Sequence, residues 1–544
     1  MQRPAAVCLL VQADVEASVL LLNTFGPLVK HIISKSVQIR SGPPAVYQLR
    51  PKETKIGSLT RKTVGEKNMN KANKNILLVG ETGAGKSTLI NSMVNYTMGV
   101  KCDDKVWFQI VEDEKRSQAE SQTSDVIVYE IFGFEDETLP YSLTIIDTPG
   151  YGDTRGTEKD DIVIKRLFEL FRAEDGVHEV HAVGLVMKAA LNRVSDRQKY
   201  IFDSVMSLFG KDVEKNIVAL ITHSDGMPAK NVLEALQAAN IKCAINEKNQ
   251  PAHFLFNNCL NTAITEENEF GLDTAWRVTE RGMNQFKVFL EKTPPQKLKT
   301  TVEVLNSQIR LKACIQNLQE RIKFTEEKQK EITETKEALK LHRKEMENNE
   351  KFTVEVPEYY KDKKSINGGW WGLGFYEGAV CCTVCEENCH HPGCTVAWSA
   401  GSCEVMKNDR CTSCTRKCPV SAHVKKKWIY VTKKRYVKKT NEDMKNKYEM
   451  NKTKEEMNKL TAEKSQLLDE SYQHLVRLEQ IALKTDSAST LDHLDFLIEK
   501  IKEEEGEGDS EKVVKLGEMK KRVAEANKSG PNIFDKLTAY GKKR

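Results

Sequence analysis

Ile76-Leu77-Leu78-Val79-Gly80-Glu81-Thr82-Gly83-Ala84-Gly85-Lys86-Ser87-Thr88-Leu89-Ile90 is the stretch from which the rest of this chain can be read. Its first four residues are a continuous apolar run that predicts a buried strand, and Thr88-Leu89-Ile90 opens a helix. The loop between them, Gly80 to Ser87, satisfies G-x-x-x-x-G-K-S and sits where that motif has its chemistry, between a strand end and a helix start. Gly83 and Gly85 let backbone N–H groups close around phosphate oxygens, and the helix N-terminus adds a favourable dipole. Lys86 reaches the β- and γ-phosphates, and Ser87 offers its hydroxyl to Mg²⁺. The expected nucleotide cradle is therefore Gly80, Glu81, Thr82, Gly83, Ala84, Gly85, Lys86, Ser87 and Thr88.

Outward from this stretch, apolar runs alternate with segments of helical period. Val126-Ile127-Val128, Leu143-Thr144-Ile145-Ile146, Val183-Gly184-Leu185-Val186, Ile217-Val218-Ala219-Leu220-Ile221 and Phe254-Leu255-Phe256 read as buried strands, and Asp160 to Phe171 and Asp196 to Phe209 as helices. That order predicts an α/β domain over residues 73–292, with a mostly parallel sheet covered on both faces. Pro294-Pro295 punctuates its end.

Three strand ends extend the site. Asp147, followed by Thr148-Pro149-Gly150, is placed to hold Mg²⁺ through water, with the Gly150 amide meeting the γ-phosphate. An ATPase of the Walker type usually has Glu directly after such an Asp; Thr148 stands here, which favours a switch GTPase. Thr222-His223-Ser224-Asp225 ends the next strand, and the Asp225 carboxylate can accept two hydrogen bonds from the N1–H and N2–H₂ edge of guanine. Adenine lacks that donor pair. Phe256-Asn257-Asn258 offers a softer base contact, through a backbone amide or an Asn side chain, Asn257 first.

Together with His181-Ala182-Val183-Gly184-Leu185-Val186 and Leu208-Phe209-Gly210, these motifs resemble the septin-like branch of the GTPases, above all the GIMAP (immunity-associated) type, over Asn75 to Lys292. The resemblance implies a Ras-like P-loop GTPase fold, GTP or GDP with Mg²⁺, and dimerisation across the nucleotide face. It departs at His223, where GIMAP-type proteins usually carry Arg or Lys. Small Ras-type GTPases place a water-orienting Gln after D-x-x-G; Tyr151 stands there, so slow intrinsic hydrolysis stimulated by self-association or a partner is expected. The expected catalytic positions are Lys86, Thr123 and Gly150, with Thr123 as the first-switch hydroxyl on Mg²⁺ and Ser121 and Ser124 as its competitors. Arg155 and Arg193 are either charge stabilisers in trans or solvated surface cations.

With 544 residues, the chain has room for two or three domains. A net charge of +5 on 30% charged residues describes a soluble chain rather than a strongly basic nucleic-acid binder. The apolar run Val19-Leu20-Leu21-Leu22 is too short for a transmembrane segment or a secretory signal, so a cytoplasmic protein is expected. Residues 1–72 show no sustained period and receive no fold.

Nine of the 14 cysteines lie between Cys381 and Cys418. Cys382-x2-Cys385-x3-Cys389 recurs as Cys411-x2-Cys414-x3-Cys418, with His390 and His391 after the first half and His423 after the second. In a reducing compartment this favours metal over disulfides, and thiolates with one imidazole suit closed structural Zn²⁺ sites. The candidate ligands are Cys382, Cys385, Cys389, His391, Cys411, Cys414, Cys418 and His423, with pairing open and Cys381, Cys394 and Cys403 as alternatives.

This cysteine-rich module, residues 351–437, interrupts helical sequence. Residues 300–350 carry Leu311, Ile315, Leu318, Ile322 and Ile332 at helical spacing, and residues 440–544 continue with Met457, Leu460, Leu467, Leu475, Leu478 and Ile481. The two stripes read as a helical hairpin packed on itself, or as an intermolecular coiled coil. Phe352 to Val356 and Trp428 to Val431 alternate as strands and are expected to pair at the module's base. Lys425-Lys426-Lys427, Lys433-Lys434-Arg435 and Lys438-Lys439, interleaved with Trp428, Tyr430 and Tyr436, suit nucleic acid or an anionic membrane, or more plainly a strand face opposite Glu355 and Glu358. Two roles compete: a GTP-dependent switch or assembly protein with protein partners on its helical part, and a zinc-stapled scaffold with a regulatory or inactive G domain. A P-loop ATPase acting on nucleic acid is the third.

Overall fold

The structure, a computed structural model, describes residues 27–112, 125–149, 158–206, 208–259, 262–348, 353–366, 378–394, 397, 399–440, 450–481, 488–505 and 510–527. Thr123 and Gly150, with Ser121, Ser124, Tyr151 and Arg155, lie outside the described residues. The chain divides into two compact units, separated in sequence between Val302 and Glu303.

The first unit is built on an eight-stranded sheet. In chain order its strands are β1 (Lys52–Ile56), β2 (Leu59–Val64), β3 (Asn73–Gly80), β4 (Ile127–Ile131), β5 (Ser142–Asp147), β6 (Ala182–Lys188), β7 (Ile217–Thr222) and β8 (His253–Leu255). The spatial order is β8-β7-β6-β3-β5-β4-β2-β1. The run β8-β7-β6-β3-β5 is parallel throughout, β4 is antiparallel to β5, and the hairpin β1–β2 joins by a parallel pairing of β2 with β4. Ile76, Leu77, Leu78 and Val79 are all fully buried, and since neighbouring strand residues point to opposite faces, both faces are covered. Each such side chain contributes about 1.5–3 kcal/mol.

Helix α1 (Lys86–Thr97) follows β3; α2 (Glu158–Arg172), α3 (Asp196–Met206), α4 (Lys230–Ala238) and α5 (Glu269–Lys292) come later. On one face, Leu89, Ile90 and Met93 of α1 and Met283, Phe286 and Leu290 of α5 share a core with Ile76, Leu78, Ile145 and Leu220. Helix α5 ends at Lys292, two residues before Pro294-Pro295, and the first unit continues to Val302. Residues 27–72 do carry structure: besides β1 and β2 there is a helix at Pro27–Lys35, and Ala45–Gln48 pairs in parallel with Val106–Gln109.

The second unit takes in the long helix α6 (Lys299–Leu341) from Glu303 onwards and then β9 (Thr353–Ser365), β10 (Gly378–Cys382), β11 (Glu387–Cys394), β12 (His423–Lys426) and β13 (Trp428–Thr440). Helices α7 (Met450–Ile481), α8 (Ala488–Glu505) and α9 (Glu511–Asn527) complete it. Leu311, Ile315 and Leu318 of α6 share one core with Leu475 and Leu478 of α7, Leu494 and Leu497 of α8, and Leu516 of α9; Ile322 and Ile481 pack against it. The two apolar stripes thus close on each other within the chain, with two further helices. Ile332 is outside that core, and the side chains of Met457, Leu460 and Leu467 are outside the described set.

Strands β9 and β13 do pair antiparallel, but over their whole length, from Thr353↔Thr440 to Ser365↔Trp428. The segments 352–356 and 428–431, expected to pair with each other, therefore lie at opposite ends of one ribbon, and the cysteine module follows from its Ser365–Trp428 end. The ribbon's cations meet acids: Arg435 bonds Glu358 at 2.6 Å, Lys433 bonds Asp362 at 2.6 Å, and Lys438 lies 3.8 Å from Glu355. This is the plain reading of the basic stretch. No helix among the described residues is long and apolar enough to cross a membrane.

Candidate functional site

At the C-terminal end of β3 the chain turns through Gly80 to Gly85 into α1. Gly83 and Gly85 have φ of 75° and 92°, the left-handed region that side chains avoid. Gly80 is needed for a different reason: a Cβ there would lie 2.5 Å from the Val186 carbonyl oxygen of the neighbouring strand. Lys86, 7% exposed, folds back over the loop and donates to the carbonyls of Gly80 at 2.8 Å and Glu81 at 3.2 Å. Burial pushes its pKa down, and the charges of Asp147 and then Glu81 pull it back up. A cation desolvated beside the buried Asp147 is suited to receive polyanionic phosphate. The Thr82 hydroxyl is buried in the same loop without a hydrogen-bond partner.

Asp147 is fully buried at the end of β5, whose partner Leu78 lies two residues before the loop. The next residue secures the junction: Thr148 Oγ1 donates to the Leu78 carbonyl at 2.9 Å. Ser87, at the first turn of α1, and Asp147 are the described residues that would hold Mg²⁺.

The third motif is brought directly against the loop. Thr222 Oγ1 donates to the Ala84 carbonyl at 2.7 Å, with the Met187 carbonyl a further acceptor at 3.2 Å. That hydroxyl's proton being committed, His223 Nδ1, 3.1 Å away, must be the donor to it, so the ring carries its proton on Nδ1. Burial and Lys188 lower the His223 pKa, which favours the neutral ring. His223 Cε1 and Thr222 lie 3.4 Å from where a Gly85 Cβ would stand, ordinary contact distance, so it is the positive φ that calls for glycine there. Asp225 is exposed, its Oδ1 accepting from the Met227 amide at 2.9 Å. Ser224 N donates to the Phe256 carbonyl at 3.0 Å, tying this turn to Asn257 and Asn258 after β8. Asn257 Oδ1 and both polar atoms of the Asn258 side chain are buried with no hydrogen-bond partner. Asn258 is thus as much a candidate base contact as Asn257.

The fit to a guanine nucleotide with Mg²⁺ is therefore good on two counts: a glycine-lined cradle around Lys86, and orphaned polar atoms at Thr82, Asn257 and Asn258.

In the second unit, thiols and imidazoles gather in three groups: Cys382, Cys385, Cys414 and Cys418; Cys389, Cys411, Cys414 and His423; and His390, Cys394 and Cys403. Seven of the eight expected ligands are included. His391 is in none of the groups, and its neighbour His390 is. The pairing of β10 with β11 sets His390 opposite Val380 and Asn388 opposite Cys381, with a bulge at Cys389, so simple alternation does not carry across this point. Within β10, where side chains alternate, Cys382 enters a ligand group and Cys381 turns away, towards Ala379 and Tyr430.

The family model described as the AIG1 family matches residues 74–270. Immune-associated nucleotide-binding protein 10 of Arabidopsis thaliana is 27% identical over 154 residues, which are 28% of this chain and 28% of that protein. Human Septin-5 is 29% identical over 111 residues, 19% of this chain and 27% of Septin-5. The chain thus spans little more than a quarter of the length of these relatives. Among solved structures, Toc33 from Arabidopsis thaliana in complex with Mg²⁺ and GMPPNP is 16% identical, with a TM-score of 0.29, over 42% of this chain and 88% of that one.

Proposed function

We propose, on the premise that residues 74–270 are an AIG1-family domain, that this protein binds GTP and GDP with Mg²⁺ and is a slow GTPase acting as a switch or assembly protein in the cytoplasm. The observation that carries the proposal is the contact between Thr222 and Ala84, which sets the purine-reading turn and the phosphate loop side by side. In this reading the loop amides and Lys86 hold the phosphates, Ser87 and Asp147 orient Mg²⁺, and Asp225 selects guanine. Mg²⁺ held there would neutralise charge on the phosphates, and Thr123 and Gly150, which lie outside the described residues, are the further residues expected of the site. Pairing of G domains would regulate turnover, as the GIMAP-type resemblance implies. The second unit, with structural Zn²⁺ in its cysteine module, would carry the contacts to protein partners.

Equilibrium binding of labelled GTP and ATP tests this directly. GTP should bind at least tenfold more tightly, and Lys86→Ala and Asp225→Ala should each abolish that preference or the binding itself. Equal binding of both nucleotides, or of neither, removes the reading.

A second reading, a zinc-stapled scaffold with an inactive G domain, is favoured by how firmly the cysteine module is seated on α6. Arg310 donates to the Glu404 carbonyl at 2.8 Å, and Asn317 to Glu387 and to the Asn388 carbonyl, each at 3.3 Å. Turnover measured against protein concentration separates the two: nucleotide bound without hydrolysis at every concentration selects the scaffold.

A further inference from the structure

We infer that the two cysteine groups meeting at Cys414 form a single binuclear cluster, in which the Cys414 thiolate bridges two zinc-type ions and both halves of the cysteine repeat ligate each ion. The inference rests on reading the module as a metal site and deepens it, because the repeat by itself suggests two independent sites, one per half.

The four ligand atoms of Cys382, Cys385, Cys414 and Cys418 lie within 4.8 Å of one another, and so do those of Cys389, Cys411, Cys414 and His423. Four ligands each is the number a closed tetrahedral site takes, and Cys414 is counted in both. A tetrahedron with Zn–S bonds of about 2.3 Å has an S···S edge of about 3.8 Å; Cys385 Sγ and Cys418 Sγ stand 3.7 Å apart. Those two thiols come from different halves of the repeat.

Backbone amides are aimed at the sulfurs. Cys385 N donates to Cys382 Sγ, Ser413 N and Cys414 N both donate to Cys411 Sγ, and Cys418 N donates to Cys414 Sγ, all at 3.3 Å. Such donors favour the charged thiolate that a metal requires. His423 adds an independent sign. Its Nδ1–H donates to the Pro419 carbonyl at 2.9 Å, which fixes the ring and leaves Nε2 as the free lone pair. Nε2 is buried with no hydrogen-bond partner.

The interleaving is enforced from outside the sulfur shell. Glu387, between Cys385 and Cys389, accepts from Thr415 N at 3.0 Å and from the Thr415 hydroxyl, so the first half grips the Cys414–Cys418 turn of the second. Strand pairing sets Cys382 opposite His423, and Cys411 N donates to the Cys418 carbonyl at 3.0 Å. Sharing one sulfur also lowers the charge to be buried. Two Zn²⁺ with six thiolates and one neutral imidazole carry −6 + 4 = −2, against −7 + 4 = −3 for two separate sites, one of four thiolates and one of three thiolates with an imidazole. Cys414 is fully buried, where each unit of uncompensated charge is costly. His390, Cys394 and Cys403 share no residue with this pair, so an ion held there would be isolated from it.

The full-length chain, stripped of metal and refilled anaerobically with Co²⁺, provides the test. Bound cobalt is counted by mass spectrometry and unpaired spin by electron paramagnetic resonance. Two high-spin Co²⁺ ions joined through one thiolate couple antiferromagnetically, so at saturation the integrated signal should fall short of the bound cobalt by two ions. A single equivalent of Co²⁺ should give the full signal, and Cys394→Ser/Cys403→Ser should leave the shortfall intact. A spin count equal to the cobalt bound, with two or more ions held, overturns the shared thiolate while leaving the zinc reading standing. Failure to hold two ions tightly overturns the cluster, and failure to hold any overturns the zinc reading as well.

Discussion

Thr222 and Ala84 are joined by one hydrogen bond, the Thr222 hydroxyl donating to the Ala84 carbonyl at 2.7 Å. Residues 138 positions apart in sequence are thereby locked together at the point where phosphate and purine would both be held. Thr222→Val preserves shape and removes the donor, leaving a buried carbonyl short of a partner at a cost of about 1–3 kcal/mol. GTP affinity measured by calorimetry should fall roughly tenfold while the preference over ATP survives, because Asp225 is untouched. Unchanged affinity would show that the bond does not position the loop.

Asp225→Asn makes a sharper change. The Asn carbonyl can still accept from the Met227 amide, the bond that now fixes Asp225 Oδ1 at 2.9 Å, but an NH₂ replaces the second carboxylate oxygen. Facing the guanine N1–H and N2–H₂ donors, that group loses about 3 kcal/mol, roughly a hundredfold in GTP affinity. Xanthosine triphosphate, with a carbonyl acceptor in place of the guanine 2-amino group, should gain instead. Competition binding of the two nucleotides to wild type and variant reads both changes at once.

The sheet was legible wherever a strand is buried on both faces, because Ile76 to Val79, Leu143 to Ile146 and Ile217 to Ile221 announce themselves as apolar runs. Strands β1 and β2 were not, since Lys52-Glu53-Thr54-Lys55-Ile56 and its partner form a sheet-edge hairpin in which few residues are buried, Ile56, Leu59 and Val64 among them. In the cysteine module the repeat was visible, but the grouping of His390 rather than His391 follows a bulge at Cys389, and the proposed sharing of Cys414 rests on Glu387 reaching Thr415, 28 residues away. Spacing along the chain encodes neither. The Asn257-Asn258 pair was a soft signal because two Asn after a strand look like turn chemistry; their buried, unpartnered side-chain atoms distinguish them.

His181 supplies a pH dependence. The Asn75 amide donates to its Nδ1 at 3.0 Å while its own amide donates back to the Asn75 carbonyl at 2.8 Å, clipping β3 just before the phosphate loop. The ring must be neutral to accept, and burial, reinforced by Lys74, lowers its pKa to about 4. An unfolded His titrates near 6.5, so between those values the unfolded chain binds a proton the native one refuses. Stability is unaffected by this group above pH 6.5, falls as pH drops towards 4, and should be lower by about 2 kcal/mol at pH 5. Urea midpoints of wild type should shift accordingly between pH 7 and pH 5. His181→Asn, which keeps an acceptor at the same reach but does not titrate, should remove that part of the shift; an identical shift in the variant would assign it to other groups.

Glu387 is where helix α6 and the cysteine module meet. Its carboxylate lies 3.4 Å from Arg321 of α6, accepts from Asn317 of the same helix at 3.3 Å, and holds Thr415 in the turn that carries Cys414. Glu387 is 8% exposed, and the Arg321 side chain is 13% exposed. Removing one member of a buried pair costs more than the pair contributes, because the other charge stays desolvated; about 3 kcal/mol is expected for Glu387→Ala. The loss should appear in two places that a purely local defect would not link. The second unit's unfolding midpoint should fall, and a chelator should extract zinc at least tenfold faster, since the Cys414–Cys418 turn is no longer gripped. Glu387→Gln, which can still accept from Thr415 N but cannot neutralise Arg321, should lose stability yet retain most of the metal's kinetic protection. Zinc release equally fast in both variants would mean that charge, and not the bond to Thr415, secures the turn.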